Sequence, residues 1–214
     1  MTHPTLHTEV LQRAQMLLKD GQRKILGIAA APGAGKSTLA EGLQQALGDK
    51  VQVVPMDGFH LANSELRRLG RAGRKGAPDT FDAAGYVNLL RRIRSQQPGE
   101  TIYAPEFRRD LEEGIAGAIA IEASTLLIIT EGNYLLMEDG AWGGVRSLLD
   151  EAWYLDVANP LRHQRLLERH MRFGRSHPQA LEWIEQTDEP NAVRIAATRH
   201  CASWIVQSEI SDQI

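Results

Sequence analysis

The sequence predicts an α/β protein in which a mainly parallel β-sheet lies between two layers of helices, and two observations carry this prediction. First, short apolar runs that suit buried strands alternate along the chain with segments of helical periodicity. Second, the run 125–130 (TLLIIT) is the clearest strand signal of the chain and is typical of a central parallel strand. The pattern therefore indicates a three-layer α/β/α sandwich.

Each predicted element rests on a local pattern. The run 24–30 (KILGIAA) is apolar and precedes turn residues, and segment 36–47 places leucines on one helical face. The same reasoning predicts strands over 24–30, 51–56, 125–130, 153–157 and 203–207, and helices over 5–19, 36–47, 82–94 and 159–173. Residues 57–80 are expected to form a loop with a short helix. Segments 101–107 and 118–123 fit either strands or an extended excursion.

Composition narrows the class of protein. The 214 residues suit one domain, 1–214, which includes an N-terminal helix within 1–20, and 43% of them are hydrophobic. A net charge of -3 argues against a protein that coats nucleic acid. The single cysteine, Cys201, suits a reducing compartment, and no secretory or membrane-spanning segment is visible. We therefore expect a cytoplasmic protein with neither nucleic-acid nor membrane partners.

A glycine-rich loop follows the first predicted strand and leads directly into a helix. Such a loop can wrap a phosphate with successive backbone N–H groups, and the helix N-terminus adds a positive dipole end. Lys36 would contact the β- and γ-phosphates, and the Ser37 hydroxyl would bind Mg²⁺. Ala30 stands where the strict pattern has its first glycine. The candidate nucleotide-binding residues of this loop are Pro32, Gly33, Ala34, Gly35, Lys36, Ser37 and Thr38.

Four segments together resemble the group of uridine kinases, phosphoribulokinases and type I pantothenate kinases. They are GIAAAPGAGKSTLA, VVPMDGFHLAN, LLIITEGNYLL and NPLRHQRLLERHMRFGR, and the resemblance covers about residues 24–207. The stretches MDGFHLAN and RKGAPDTFD are most similar to the pantothenate kinase branch. They also resemble proteins known as fructose transport system kinases or nucleoside-kinase-like proteins. The resemblance implies a P-loop NTPase fold with a helical lid over 159–176, and ATP and Mg²⁺ as cofactors.

Two carboxylates at predicted strand ends are candidates for chemistry. Asp57 ends the second predicted strand, where a carboxylate can accept the proton of an attacking hydroxyl, and the resemblance assigns it the role of catalytic base. Glu131 follows the apolar run 125–130 and would help to hold Mg²⁺. The alternatives are a turn formed by Asp57-Gly58 and a strand-end glutamate facing solvent.

The predicted helix 159–173 carries four arginines on one face. Arg162, Arg165, Arg169 and Arg172 are spaced three or four residues apart, as neighbours on a helix are. The resemblance places a lid here, whose cations stabilise charge on the transferring phosphoryl group. Arg165 and Arg169 are the first candidates for catalysis. The alternative is a solvated basic face.

The acceptor pocket is expected between Asp57 and Glu131, because the similar kinases bind their acceptor with this region. The substrate-binding candidates are Asp57, His60, Phe81, Tyr86, Phe107, Arg109 and Glu131. Phe81 and Tyr86 could equally be core residues, and His60 a surface histidine. Nearer the C-terminus, Asn191 is a candidate for contact with adenine, and a simple turn is the alternative.

These observations favour an ATP- and Mg²⁺-dependent kinase that phosphorylates an alcohol group of a small molecule such as a sugar, a nucleoside or a pantothenate-like compound. The alternatives are a regulatory P-loop NTPase and a nucleoside monophosphate kinase. No guanine-specifying Asn-Lys-x-Asp stretch and no Leu-Ser-Gly-Gly signature occurs in the sequence, which argues against GTPases and ABC-type ATPases. Related kinases are commonly dimeric, so a homodimer is an expectation from resemblance.

Overall fold

The computed structural model describes residues 7–207. The first two residues of the predicted helix 5–19 lie outside this range, and the helix itself is observed as α1, Thr8–Leu17. The predicted domain limits at residues 1 and 214 also lie outside it. No helix of the described chain combines the length and the apolar character that crossing a membrane would require.

A five-stranded parallel sheet forms the centre of the molecule. Its spatial order is β2-β5-β1-β6-β7, and every neighbouring pair is parallel, which confirms the predicted sheet. β1 and β5 are buried on both faces, in keeping with their continuous apolar runs. The strands of residues 7–207 are β1 Lys24–Ala29, β2 Val51–Val53, β3 Thr101–Arg108, β4 Glu113–Glu122, β5 Leu127–Gly132, β6 Glu151–Asp156 and β7 Trp204–Gln207.

Helices cover both faces of this sheet. Alternating side chains of β1 enter different cores: Leu26 packs with Ala14 and Leu43, whereas Ile25 packs with Leu90 and Ile195. The layers are therefore α1 and α2 on one face, and α4 and α7 on the other, which confirms the three-layer fold. The α-helices of the described chain are α1, α2 Lys36–Leu47, α3 Asn63–Arg68, α4 Ala83–Arg94, α5 Asn159–Arg172, α6 His177–Trp183 and α7 Glu189–Ala197.

The second strand is shorter than the sequence predicts. The expected strand 51–56 ends at Val53, and Met56–Phe59 forms a 3₁₀ turn instead. Pro55 has no N–H to donate to a neighbouring strand, so the ladder cannot continue through it. As a result Asp57 lies in a tight turn just beyond the sheet, and not at the end of a strand.

The two segments that the sequence left open form a β-hairpin. β3 and β4 pair antiparallel, with a register shift between Ala104 and Glu106 next to Pro105. The hairpin packs directly on the Met56–Phe59 turn, because a Cβ added to Gly58 would lie 2.3 Å from the Pro105 carbonyl oxygen. Glycine at position 58 permits this close approach of two backbones. The hairpin therefore brings Phe107 and Arg109 beside Asp57.

The segment that follows α5 forms two helices that the sequence analysis did not predict. α6 begins at a capping box between Ser176 and Gln179, and one π-helical turn, Ile184–Asp188, connects it to α7. Asn191 lies within α7, so its interpretation as part of a turn is wrong. Pro190 is compatible with a helix here because it occupies the first turn of α7.

Candidate active site

A cleft of about 370 Å³ opens where the chain leaves β1, β2 and β5. Lys36, Asp57 and Asn133 follow these three strands, so the cleft lies at the carboxyl edge of the parallel sheet. Ligands bind at this edge in open α/β sheets. The cleft lining includes the predicted residues Pro32, Lys36, Ser37, Asp57, His60, Phe81, Phe107, Arg109, Arg169 and Asn191.

The glycine-rich loop adopts a conformation that depends on its glycines. Gly33 and Gly35 adopt φ angles of 80° and 93°, which disfavour any other residue, and Gly35 immediately precedes α2. A Cβ at Gly33 would lie 2.7 Å from the carbonyl oxygen of Arg162, so the loop is packed against α5. Ala30 is fully buried at the end of β1, and the loop forms although this position is not glycine.

Ser37 and Glu131 form a pair of oxygen ligands at the start of α2. The Ser37 hydroxyl donates to Glu131 Oε1 at 2.9 Å, whereas Glu131 Oε2 is buried and has no hydrogen-bond partner in residues 7–207. Burial raises the pKa of Glu131, although Lys36 opposes this effect. An unpaired carboxylate oxygen beside a hydroxyl suits a hard cation such as Mg²⁺. These residues therefore fit the metal that the sequence analysis expects.

Asp57 is surrounded by positive charge. Arg109 Nη2 approaches Asp57 Oδ2 at 3.4 Å, and the His60 ring bonds to the Asp57 carbonyl oxygen at 2.7 Å. Burial by itself would raise the pKa of Asp57, but His60, Lys36 and Arg109 outweigh it and hold the pKa below its ordinary value. The carboxylate is therefore ionised at neutral pH and able to accept a proton.

Lys36 lies in the same charged centre. Burial lowers the pKa of its ammonium group, while the carboxylates of Glu131 and Asp57 act in the opposite direction. These two carboxylates thus compensate a cation that the P-loop removes from water. The arrangement places one ammonium group next to the proposed metal ligand and the proposed base.

The four arginines of α5 do not act as one set. Arg165 donates to the Ala34 carbonyl oxygen at 3.0 Å, and Arg169 lines the cleft, where burial lowers the pKa of its guanidinium. Arg162 is buried and donates to the Pro32 carbonyl oxygen at 2.8 Å, with Glu189 as its ion-pair partner. Arg172 is exposed to solvent. The structure thus brings Arg165 and Arg169 to the P-loop and gives Arg162 a packing role.

Aromatic rings form one side of the cleft. The His60 ring lies 3.9 Å from the Phe81 ring and 4.6 Å from the Phe107 ring, measured between centroids. Tyr86, by contrast, is fully buried in the core, and its hydroxyl is 2.6 Å from Thr130 Oγ1. The structure therefore favours the core interpretation of Tyr86. Glu131 lies beside Ser37 and is not among the residues that line the described cleft.

The structure adds cleft residues that the sequence analysis missed. Asn133 lies two residues beyond Glu131, and its Oδ1 atom is buried without a hydrogen-bond partner in the described chain. Its position just after a strand end was a usable signal. Other cleft residues, among them His170, Trp183 and Asp188, come from helices far along the chain, and no local sequence motif marks them as part of the cleft.

Comparison with known proteins decides the family. A family model described as "Phosphoribulokinase / Uridine kinase family" matches residues 25–211. The chain belongs to this family. In fission yeast, Schizosaccharomyces pombe, the protein named "Putative uridine kinase C227.14" is 33% identical over 198 residues, which are 88% of this chain and 83% of that protein.

Two further comparisons agree with this membership. The crystal structure of a "putative fructose transport system kinase" from Silicibacter sp. TM1040 superimposes with a TM-score of 0.83 at 34% identity, and covers 92% of this chain and 98% of that one. A pantothenate kinase of Ligilactobacillus salivarius is 31% identical over 151 residues, which are 68% of this chain and 48% of that protein. This member of the family is a P-loop kinase that binds a nucleotide and phosphorylates an alcohol group of a small molecule.

Proposed function

We propose that this kinase transfers the γ-phosphoryl group of ATP to a hydroxyl group of a metabolite, with Mg²⁺ bound at Ser37 and Glu131. The observation that carries the proposal is the position of the ionised Asp57 carboxylate in the same cleft as Lys36. A regulatory nucleotide-binding module has no need of a proton acceptor beside its P-loop. A kinase needs one there to orient the attacking hydroxyl.

Asp57 is the proposed general base. Its carboxylate accepts the hydroxyl proton of the acceptor, and its place in a packed 3₁₀ turn keeps the direction of attack constant. Arg109 remains 3.4 Å away, which is long for a hydrogen bond and leaves the carboxylate oxygens available. The pKa of Asp57 lies below its ordinary value, so the base form is present throughout the neutral range.

Lys36, Arg165 and Arg169 are the proposed groups that stabilise negative charge on the phosphates. Lys36 lies in the cleft at the start of α2, and Arg169 lines the same cleft from α5. Arg165 is anchored on the Ala34 carbonyl oxygen, which keeps its guanidinium at the loop. Donors that are fixed before the reaction stabilise developing charge without a reorganisation cost.

Mg²⁺, when bound, would neutralise the β- and γ-phosphate oxygens and leave the terminal phosphorus open to attack. On the protein side, the Ser37 hydroxyl and the unpaired Oε2 atom of Glu131 are the available ligands. Thr38, the next residue of α2, is exposed and is the proposed phosphate contact at the outer end of the loop.

The proposed acceptor site lies between the β3–β4 hairpin and α7. His60, Phe81, Phe107 and Arg109 line it from the hairpin side. Asn191 lines the cleft from α7, three residues beyond Asp188, and it remains the proposed candidate for contact with adenine. Relatives of this chain are named uridine kinase and pantothenate kinase, so nucleosides and pantothenate belong among the acceptors to test.

The test is ADP production from ATP and Mg²⁺ with a panel of sugars, nucleosides, pantothenate and nucleoside monophosphates. We expect one class of alcohol to raise ADP production well above the rate without acceptor. Stimulation by a nucleoside monophosphate, which accepts through its phosphate, would favour the monophosphate kinase. Lys36-dependent hydrolysis that no acceptor stimulates would favour a regulatory NTPase and contradict the proposal.

We also propose that the protein is cytoplasmic and forms a homodimer. A cytoplasmic location is supported by the single cysteine, which cannot form an internal disulfide. A homodimer is supported only by the resemblance to dimeric kinases, and size-exclusion chromatography with light scattering would test it.

A further inference from the structure

Arg175 lies in the cleft and is held from two sides. It belongs to the loop between α5 and α6, and it lines the cleft together with Asp57. Its Nη1 atom is 2.8 Å from His170 Nδ1, and its guanidinium carbon is 4.0 Å from the centroid of the Trp183 ring. One edge of the guanidinium is thus hydrogen bonded, and its face is stacked on an aromatic ring.

The hydrogen bonds around His170 determine its proton arrangement. An arginine can only donate, so His170 Nδ1 must accept from Arg175. The proton of the neutral ring is then on Nε2, which donates to Asp188 Oδ2 at 2.7 Å. His170 and Asp188 are both buried. The pair therefore forms a rigid support that directs Arg175, and it leaves the other guanidinium donors free.

Arg175 lacks a carboxylate partner among the described residues, as Lys36 and Arg169 do, whereas two other basic residues of the cleft have one. Lys75 has Glu112 at 3.7 Å, and Arg109 has Asp57. Within residues 7–207, no carboxylate oxygen lies within 4.0 Å of the Arg175 guanidinium. A half-buried guanidinium that is oriented in advance and lacks a counter-charge is suited to binding an anion from solution.

The position of Arg175 points to the acceptor and not to ATP. Arg162 and Arg165, in the first half of α5, donate to the P-loop carbonyl oxygens of Pro32 and Ala34. Arg175 follows the other end of α5, and a helix that rises about 1.5 Å per residue carries it away from the P-loop. This is where the part of an acceptor remote from its reacting hydroxyl would be.

We propose that the phosphoryl acceptor is an anionic alcohol, and that Arg175 binds its carboxylate or phosphate group. The inference rests on the proposed kinase function and names the chemical class of its substrate. His170, Asp188 and Trp183 are positioning residues in this proposal, because they contact Arg175 and not the reacting atoms. Neutral alcohols of the same shape would leave Arg175 without a partner and bind more weakly.

The first test measures binding, so that it does not depend on turnover. Thermal unfolding of the whole protein with ADP and Mg²⁺ is compared for matched ligands: pantothenate and pantothenol, D-glycerate and glycerol, ribose 5-phosphate and ribose. We expect the anionic member of at least one pair to raise Tm and its neutral partner not to. The pair that responds shows whether the anionic group that Arg175 binds is a carboxylate or a phosphate. Equal shifts within every pair, or no shift with any anion, would overturn the inference.

Arg175→Gln supplies the second test, with Arg91→Gln as a control because Arg91 lies on exposed α4 surface beside Asn88. We expect the Tm increment from the anion to vanish in Arg175→Gln and to persist in Arg91→Gln. Arg175→Lys should retain part of it, since the charge remains. If the increment persists in Arg175→Gln, Arg175 is not the anion-binding residue.

Steady-state kinetics separates this inference from the proposed function. With the anionic acceptor, Arg175→Gln should raise its KM roughly tenfold to a hundredfold, the range for hydrogen bonds to charged groups, and leave the KM for ATP within about twofold. His170→Phe should act in the same direction by less, because it removes only the support. A raised KM for ATP would assign Arg175 to the nucleotide and overturn the inference. Anion binding through Arg175 without any turnover would contradict the kinase proposal alone.

Discussion

The two sides of the cleft are built in different ways. The nucleotide side comes from one uninterrupted stretch, in which β1, the glycine-rich loop and α2 follow each other without insertion. The acceptor side is assembled from the Met56–Phe59 turn, the β3–β4 hairpin, the loop after α5 and α7. The first side presents mainly backbone N–H groups and a helix end, whereas the second presents side chains.

Because of this difference, the two sides of the cleft tolerate amino-acid substitutions to different degrees. A backbone cradle recognises phosphate in whatever compound carries it, and few side chains can change there without loss of the loop. Side chains from several loops can change one at a time, which allows different members of one fold to take different acceptors. Substitutions on the nucleotide side should therefore affect ATP and Mg²⁺, and those on the acceptor side should affect the acceptor alone.

The largest effect is expected at the junction of the two sides. Asp57→Asn should lower kcat by about a thousandfold, since a general base commonly contributes 10²–10⁴, and should change the KM for ATP by less than about twofold. Asp49→Asn, at an exposed carboxylate, serves as the control. Undiminished turnover in Asp57→Asn would remove Asp57 from the mechanism.

A second large effect is expected on the nucleotide side. Lys36→Met should lower kcat/KM for ATP by about a hundredfold or more, the loss usual for one donor that stabilises transition-state charge. The acceptor should still raise Tm in this variant, because its site is built elsewhere. Lys50→Met, at an exposed lysine, is the matched control. Loss of acceptor binding in Lys36→Met would contradict the separation of the two sides.

A smaller effect is expected for the metal. Glu131→Gln keeps the size of the side chain but removes its charge, and it should raise the Mg²⁺ concentration needed for half-maximal rate by about tenfold to a hundredfold. Titration of Mg²⁺ at saturating ATP measures this. Glu138→Gln lies at an exposed carboxylate a few residues on and should leave the titration unchanged. An unaltered titration in Glu131→Gln would argue that Glu131 only orients Ser37.

The smallest effect is expected on the aromatic part of the acceptor side. Phe107→Ala should raise the acceptor KM by about threefold to tenfold, because part of an apolar contact is lost, with the KM for ATP unchanged. Tyr103→Ala, at an exposed position of the same strand, is the control. A change in the KM for ATP would show that the hairpin also shapes the nucleotide side.

The sequence predicted the sheet and the nucleotide side because their signals are local. An apolar strand, a glycine-rich turn and a periodic helix are each readable within about ten residues. The predicted helix 36–47 coincides with α2, and Asp57 and Glu131 were found because each follows an apolar run. Pro55, which ended β2 early, was a local signal that the prediction overlooked.

The acceptor side was predicted only in part, because its residues meet through long-range contacts. Tyr86 and Phe81 look alike in sequence, as aromatic residues not far from Asp57. Tyr86 is nevertheless buried in the core, with its hydroxyl hydrogen bonded to Thr130, whereas Phe81 lines the cleft. Nothing in the local sequence around His170 or Asp188 indicates that their side chains form a hydrogen bond with each other. Likewise, the spacing of the α5 arginines could not distinguish Arg162, which is buried, from Arg169.

The sequence by itself determined the fold class, the phosphate loop and the two carboxylates that follow apolar runs, Asp57 and Glu131, since each depends on neighbours along the chain. Only the tertiary structure decided that Arg109 reaches Asp57 across 52 residues, and that Arg175 rests on His170 and Trp183. The physical reason is that strand and helix propensities act over a few residues. The partners of a side chain in a cleft are set by how the hairpin, α5 and α6 pack.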